Sequence, residues 1–183
     1  MSNPPYGVDW KAAQESVKSE AAGIPNGRFG HGLPPVSDGQ MLFLTHLANK
    51  MRPAHEGGGR AGIVLNGSPL FNGAAESGPS EIRRWLLESD LVDAIVALPN
   101  NMFFNTGIGT YIWVLCNRKE ARRKHKVQLI DASGFWAPMR KSLGNKRREI
   151  SSDHIQQVLG LFLSPKNGEH CRIFDTSEFG YRK

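Results

Sequence analysis

Cysteine is nearly absent from the 183-residue chain. Cys116 and Cys171 stand far apart, which excludes a disulfide-stapled scaffold. With no secretory context, both thiols are expected to be reduced, in a cytoplasm. The N-terminus lacks a basic-then-apolar signal pattern, and no apolar run approaches a membrane span, so no membrane partner is expected. The six histidines are scattered without Cys, Asp or Glu at ligand spacing, so no metal site is expected. Neither Gly-x-Ser-x-Gly nor a Cys/His arrangement marks a covalent nucleophile. Glu56-Gly57-Gly58-Gly59-Arg60 has no following Lys-Ser/Thr and no preceding strand, so it reads as a connector and not a phosphate cradle.

What is present suits one domain with a sizeable core: 39% hydrophobic and 22% charged residues. A formal net charge of +6 suits a polyanionic partner. Trp10, Ala13 and Val17 give residues 9–22 one apolar stripe, as in a helix. Glycines and prolines make 23–39 a long loop, and Ser37-Asp38-Gly39-Gln40 has the spacing of a capping box for the helix after it. Ala61–Leu65 reads as a strand covered on both faces. Further strands are expected at Val92–Leu98, Thr110–Cys116 and Val127–Asp131, with a short one at Arg172–Phe174. Pro79 opens one helix, and Ser151, Ser152 or Asp153 another that runs to 163. Strand, helix, strand, loop, strand is α/β order. Basic residues gather at 118–126 and again at Arg140, Lys141, Lys146, Arg147 and Arg148. Each cluster can track a phosphate backbone or simply be a solvated face.

Asn3-Pro4-Pro5-Tyr6 carries the chemistry. Proline fixes its own φ, restrains the residue before it and offers no N–H, so the turn is stiff and its carbonyls are free to accept. The Asn3 side-chain oxygen and the Pro4 carbonyl can each take one hydrogen of a planar amino group, while the Tyr6 ring lies against its flat face. For a tetrapeptide alone, a surface turn ahead of a half-buried tyrosine is the commoner meaning. Arg28 and Phe29 can meet a phosphate and a base, against the plainer reading of a solvated loop.

Taken with Ser37-Asp38-Gly39, Ile63-Val64-Leu65-Asn66-Gly67-Ser68-Pro69-Leu70-Phe71, Glu81-Ile82-Arg83-Arg84-Trp85-Leu86, Ile95-Val96-Ala97-Leu98-Pro99, Phe104-Asn105-Thr106-Gly107-Ile108, Ile130-Asp131-Ala132-Ser133 and Phe179-Gly180-Tyr181-Arg182-Lys183, the turn resembles the modification (M) subunit of type I restriction–modification systems, an N6-adenine DNA methyltransferase. The match runs over essentially the whole chain. It implies the C-terminal half of a Rossmann-like, S-adenosylmethionine-dependent methyltransferase sheet with a helical and basic C-terminal extension. The division expected is a catalytic half at 1–135 and the extension at 136–183. Neither Gly30-His31-Gly32 nor Gly107-Ile108-Gly109 follows the first strand of a βαβ unit, so the loop holding S-adenosylmethionine is expected upstream. The chain is then a catalytic half, expressed as a fragment or encoded by a split gene and inactive alone.

By the same resemblance Asn3, Pro4, Pro5 and Tyr6 are catalytic, and Tyr6 stacks on one face of a flipped adenine. Phe104 is expected on the opposite face, with Phe103 the alternative. Arg28, Arg122, Arg123, Lys124, Arg147 and Arg148 are the expected DNA contacts. Partners would be double-stranded DNA, the specificity (S) and restriction (R) subunits and a second M subunit. The alternatives are a protein glutamine-N5 methyltransferase, which uses the same turn, and a non-catalytic DNA-binding or assembly fragment. Without a preceding strand, Ala61–Leu65 is expected to leave an open, apolar sheet edge that favours self-association or recruits the chain's own terminus.

Overall fold

Along residues 1–180, which the computed structural model describes, the chain forms five α-helices and seven strands. Tyr181, Arg182 and Lys183 of the closing motif lie outside the described residues. The elements are α1 (Gln14–Gly23), α2 (Gln40–Asn49), β1 (Arg60–Asn66), α3 (Ser68–Phe71), α4 (Gly78–Glu88), β2 (Val92–Ala97), β3 (Thr110–Cys116), β4 (Lys126–Asp131), β5 (Ala137–Leu143), β6 (Lys146–Glu149), α5 (Ser152–Leu163) and β7 (Cys171–Asp175).

Five strands form one mixed sheet in the order β1-β3-β2-β4-β7, in which only β2 and β4 run parallel. Period-two alternation sends Ile63, Leu65, Trp113 and Leu115 to one face, where they meet Met41 and Leu44 of α2 and Ile82 and Leu86 of α4. On the other face Val96 and Ile130 meet Val158, Leu161 and Phe162 of α5. Each fully buried Leu or Ile contributes roughly 1.5–3 kcal/mol, so the two helical layers fix the strand register. No described helix is long and apolar enough to cross a membrane.

Helix starts follow local chemistry. Ser77 caps α4 by accepting from the Ser80 N–H, with Pro79 inside the first turn. Ser151 and His154 form a reciprocal box at α5. The box expected from Ser37 does not form. Gly39 is the N-cap of α2 without a side-chain bond, and the Asp38 carboxylate takes the Gln40 N–H instead (3.2 Å). Gln40 turns inward, where it is 1% exposed.

The stretch expected as a basic, helical extension is more ordered than that. Residues 137–149 fold as a β5–β6 hairpin, α5 packs on the sheet, and β7 pairs with β4. The long loop at 23–39 also packs, placing Phe29 and Leu33 against Trp10, Val17 and Leu42 in a second, smaller core.

Register separates the two ends of the sheet. Arg60 lies opposite Cys116, and Asn66 opposite Thr110. Residues 117–125 therefore leave from the Arg60 end, while 99–109 enter at the Asn66 end. The seven residues of β3 put roughly 20 Å between them.

Buried charge holds the Arg60 end. Lys119 Nζ donates to the Asp90 carboxylate and to the carbonyls of Val92 and Lys126, with its side chain 2% exposed. Arg123 bonds the Asp93 carboxylate (2.7 Å) and the side-chain oxygen of Gln128, and its guanidinium stacks on Phe162. Removing one partner of a buried pair leaves the other charge uncompensated, at about 3–5 kcal/mol, whereas an exposed pair is worth about 0–1. Arg123→Ala should therefore lose several kcal/mol in urea unfolding, and Arg122→Ala, whose Glu120 partner is exposed, almost nothing. Equal midpoints for the two variants would refute the assignment.

Candidate functional site

The Asn3–Tyr6 turn is held by β1 directly on its entry side and through Gln40 on its exit side. On its entry side the Ser2 N–H donates to the Gly62 carbonyl (2.9 Å), and the Val64 N–H donates to the Ser2 carbonyl (3.1 Å). Ser2 thus lies parallel to β1 opposite Ile63, against the sheet edge expected to be open. On the exit side the Gly39 N–H donates to the Val8 carbonyl (3.0 Å), and the Trp10 N–H to the Val36 carbonyl. Gln40 then closes the circuit. Its side-chain oxygen accepts from the Asn66 N–H (2.9 Å), and its amide donates to Asn66 Oδ1 (2.9 Å) and to Asp38.

Within that frame Pro4 is buried, Asn3 and Pro5 are exposed, and Tyr6 is half-buried. The Tyr6 hydroxyl donates to Asn3 Oδ1 at 2.8 Å. Burial pushes the Tyr6 phenol up from its ordinary value, so the hydroxyl stays protonated and able to donate. An amide oxygen has two lone pairs, so Asn3 keeps one acceptor direction beside that bond.

The loop at 99–109 reaches the same end of the sheet and brings Phe103 to Tyr6, edge to face with centroids 6.1 Å apart. Phe104 takes another direction: it is 69% exposed, and its carbonyl accepts from the Asn145 N–H (2.9 Å). The ring contact with Tyr6 thus belongs to Phe103, the alternative in the sequence reading.

Asn145 belongs to the turn of the β5–β6 hairpin, an element that reading missed. Asn101 completes the docking, with its carbonyl accepting from the N–H groups of Arg147 (3.0 Å) and Arg148 (3.3 Å). The signal was available in Leu143-Gly144-Asn145-Lys146. A two-residue Gly-Asn loop with φ of +58° at Gly144 suits a type II′ hairpin turn.

The basic residues divide sharply. Arg147 is exposed beside the loop, whereas the Arg148 guanidinium lies 3.9 Å over the Trp136 ring. Arg122 and Lys124 are exposed at the far end of the sheet. Arg123, expected to contact DNA, is instead half-buried in a structural ion pair, because Asp93 at 2% exposure requires a partner. Arg28 is likewise engaged internally. Its guanidinium donates twice to the Glu20 carboxylate (2.7 Å each) and once to His46 Nδ1 (2.9 Å), tying the loop to α1 and α2.

A cavity of about 1270 Å³ lies elsewhere, on the sheet face between α4 and β7, lined by Tyr111, Trp113, Leu129 and Phe174. It includes none of Asn3–Tyr6. Among the described residues no group of three or more His, Cys, Asp and Glu is placed to hold a metal.

A sequence model of the N-6 DNA Methylase family matches residues 1–179. The chain is 26% identical over 170 residues to the type I restriction enzyme MjaIX methylase subunit of Methanocaldococcus jannaschii, covering 92% of this chain and 28% of that protein. It is 30% identical over 194 residues to the EcoKI methylase subunit of Escherichia coli, covering 97% and 32%. The solved methyltransferase subunit of a type I restriction–modification system from Streptococcus thermophilus superposes with a TM-score of 0.77 at 27% identity, over 96% of this chain and 34% of that one. The chain thus spans about a third or less of each of these proteins.

The Arg28 tie has a pH signature. Burial first, then the Arg28 and Lys50 charges, hold His46 below its ordinary value, against the opposing pull of Glu20. The folded-state value lies below the unfolded one, near 6.5. The neutral ring's contribution is therefore complete above about pH 6.5 and is lost as the pH falls from there through the lower folded-state value. Between pH 7 and pH 5 the urea midpoint of the wild type should fall further than that of His46→Gln. Parallel profiles would remove His46 from the account.

Proposed function

The chain belongs to the N-6 DNA Methylase family, and we propose that its Asn3–Tyr6 turn is the amine-holding half of an N6-adenine DNA methyltransferase within a type I modification enzyme. The observation that carries the reading is the turn itself: a rigid Asn-Pro-Pro-Tyr whose Asn3 Oδ1 and Tyr6 hydroxyl sit 2.8 Å apart, at the strand end where Phe103 also arrives. Activity, substrate and partners belong to the longer protein, since the chain spans 28% of the first relative. The relatives, methylase subunits of restriction enzymes, favour DNA over a peptide amide as the methyl acceptor.

The amino nitrogen of adenine is a poor nucleophile because its lone pair is conjugated with the ring. In this reading Asn3 Oδ1 and the Pro4 carbonyl each accept one amino hydrogen, which draws nitrogen toward tetrahedral geometry. The two oxygens also stabilise the positive charge that grows on nitrogen, an arrangement of fixed dipoles aimed at developing charge. The proton leaves readily once nitrogen is cationic, so no general base is needed. Extruding the base from a duplex costs a few kcal/mol, and stacking on Tyr6 offsets roughly 1–3 kcal/mol. Phe103 supports the opposite wall better than Phe104, because it meets Tyr6 within 6.1 Å.

S-adenosylmethionine is the methyl donor that this family chemistry calls for. Among the residues of this chain, the turn suits the methyl acceptor and not the donor. The fold division at 135/136 is retained only as a functional one, with the turn and its loop before it and the basic hairpin after it.

Transfer of a labelled methyl group to duplex DNA by the intact modification enzyme tests the reading. Asn3→Ala should cut turnover by about 10²–10³ while DNA affinity stays within about threefold, because Asn3 acts on geometry and developing charge. Near-wild-type turnover would end the amine-acceptor assignment. Tyr6→Phe should stay close to wild type, since stacking needs the ring, and Tyr6→Ala should weaken capture of the base. Equal 2-aminopurine signals from the two Tyr6 variants would count against stacking.

A further inference from the structure

We propose that the tip of the β5–β6 hairpin is a wedge that enters duplex DNA and fills the gap left by an extruded base. The inference rests on the reading of Asn3–Tyr6 as an adenine site and adds how the duplex would be held open. Three observations carry it. The first is position. Hydrogen bonds from Asn145, Arg147 and Arg148 to the carbonyls of Phe104 and Asn101, with Asn101 Nδ2 donating to the Asn145 carbonyl, dock the hairpin on the loop whose Phe103 meets Tyr6. The tip therefore stands on the loop that reaches the Asn3–Tyr6 turn, at the Asn66 end of the sheet.

The second observation is an apolar ridge with no cover. Leu143 is 51% exposed and Phe104 69% exposed. Gly144 joins them closely: a Cβ there would lie 2.7 Å from the Phe104 carbonyl and 3.1 Å from its ring. The fit, with a φ of +58°, requires glycine. Apolar side chains gathered on an exposed surface mark a place where a partner can bind.

The third observation is charge, which selects the partner. Residues 137–149 carry Arg140, Lys141, Lys146, Arg147 and Arg148 against the single carboxylate of Glu149. Among the described residues, no carboxylate pairs with Arg140, Lys141, Lys146 or Arg147. An apolar tip with cations behind it fits a polyanion whose interior is stacked and apolar. The cations neutralise phosphates, and the tip occupies the opened base step. A protein partner with an acidic rim is the competing occupant.

Fluorescence anisotropy of the full chain on two labelled 20-base-pair duplexes decides the matter. One duplex is intact and the other carries a single abasic site, where the unstacking is already done. The wild type should prefer the abasic duplex by about tenfold, with affinity for both falling steeply as salt rises. Leu143→Ser, alone and with Phe104→Ser, should bring the preference to about one while leaving the salt slope unchanged. Lys141→Gln/Lys146→Gln/Arg147→Gln should weaken both duplexes alike and flatten the slope. A wild type without preference, or a Leu143→Ser chain that keeps it, overturns the wedge and leaves the methyl-transfer reading untouched. No salt-dependent binding to either duplex overturns the wedge by removing DNA as the occupant, while the Asn3→Ala turnover experiment still judges the amine site.

Discussion

The outer edge of β1 is the constraint from which the site follows. β1 pairs with β3 on one side, and its other side presents backbone groups that must be satisfied. Ser2 meets Gly62 and Val64, and the Gln40 side chain meets the N–H of Asn66. A strand edge is thus completed by a single residue at one point and by a side-chain amide at the next. The Asn3–Tyr6 turn lies between those two fastenings in sequence, so satisfying the edge also sets where the turn begins and ends. Under the proposed reading precision there matters, because amine acceptors misplaced by about 0.5 Å lose their alignment. Gln40 suits the task because it is buried and each end of its amide is hydrogen-bonded.

The two ends of the sheet are stabilised differently. At the Arg60 end, the buried Lys119 and the half-buried Arg123 each make several hydrogen bonds and cross from β4 to β2. Such pairs are costly to desolvate and costly to break. At the Asn66 end the loop at 99–109 is tied by neutral backbone hydrogen bonds and half-exposed rings. Neutral bonds of about 0.5–1.5 kcal/mol each can be exchanged for contacts to a ligand, whereas a buried ion pair cannot. Adaptable contacts therefore gather around the turn and fixed ones at the opposite end.

Much of the frame was legible because it rests on short-range pattern. Thr110–Cys116 forms a strand with the bounds its β-branched and aromatic residues predict, and β1, β2 and β4 differ from expectation by a residue or so. The misses share a cause in partners distant along the chain. Charge alone cannot separate Arg123 from Arg147, since what buries Arg123 is Asp93, thirty residues earlier. Ser37 has the spacing of a cap, but Asn66 draws the Gln40 side chain inward and Asp38 takes the backbone donor. Phe103 and Phe104 are adjacent, and contacts from Tyr6 and Asn145, both distant along the chain, separate them. The hairpin was the avoidable miss, for Gly144-Asn145 carries it locally.

The Tyr6–Asn3 hydrogen bond bears on how such a site would trade partners. Asn3 Oδ1 already accepts from the Tyr6 hydroxyl, so an incoming amino group meets an acceptor with one direction taken. A net hydrogen bond is worth about 0.5–1.5 kcal/mol, and a base stacked on an aromatic ring about 1–3 kcal/mol. Under the proposed reading the balance favours the base, because the stack and the new amine bonds arrive together while only one internal bond is exposed to exchange. Without a base, the same bond holds Asn3 toward the ring and keeps a polar atom of an exposed side chain oriented. Tyr6 would then act twice, through its hydroxyl before the base arrives and through its ring afterward.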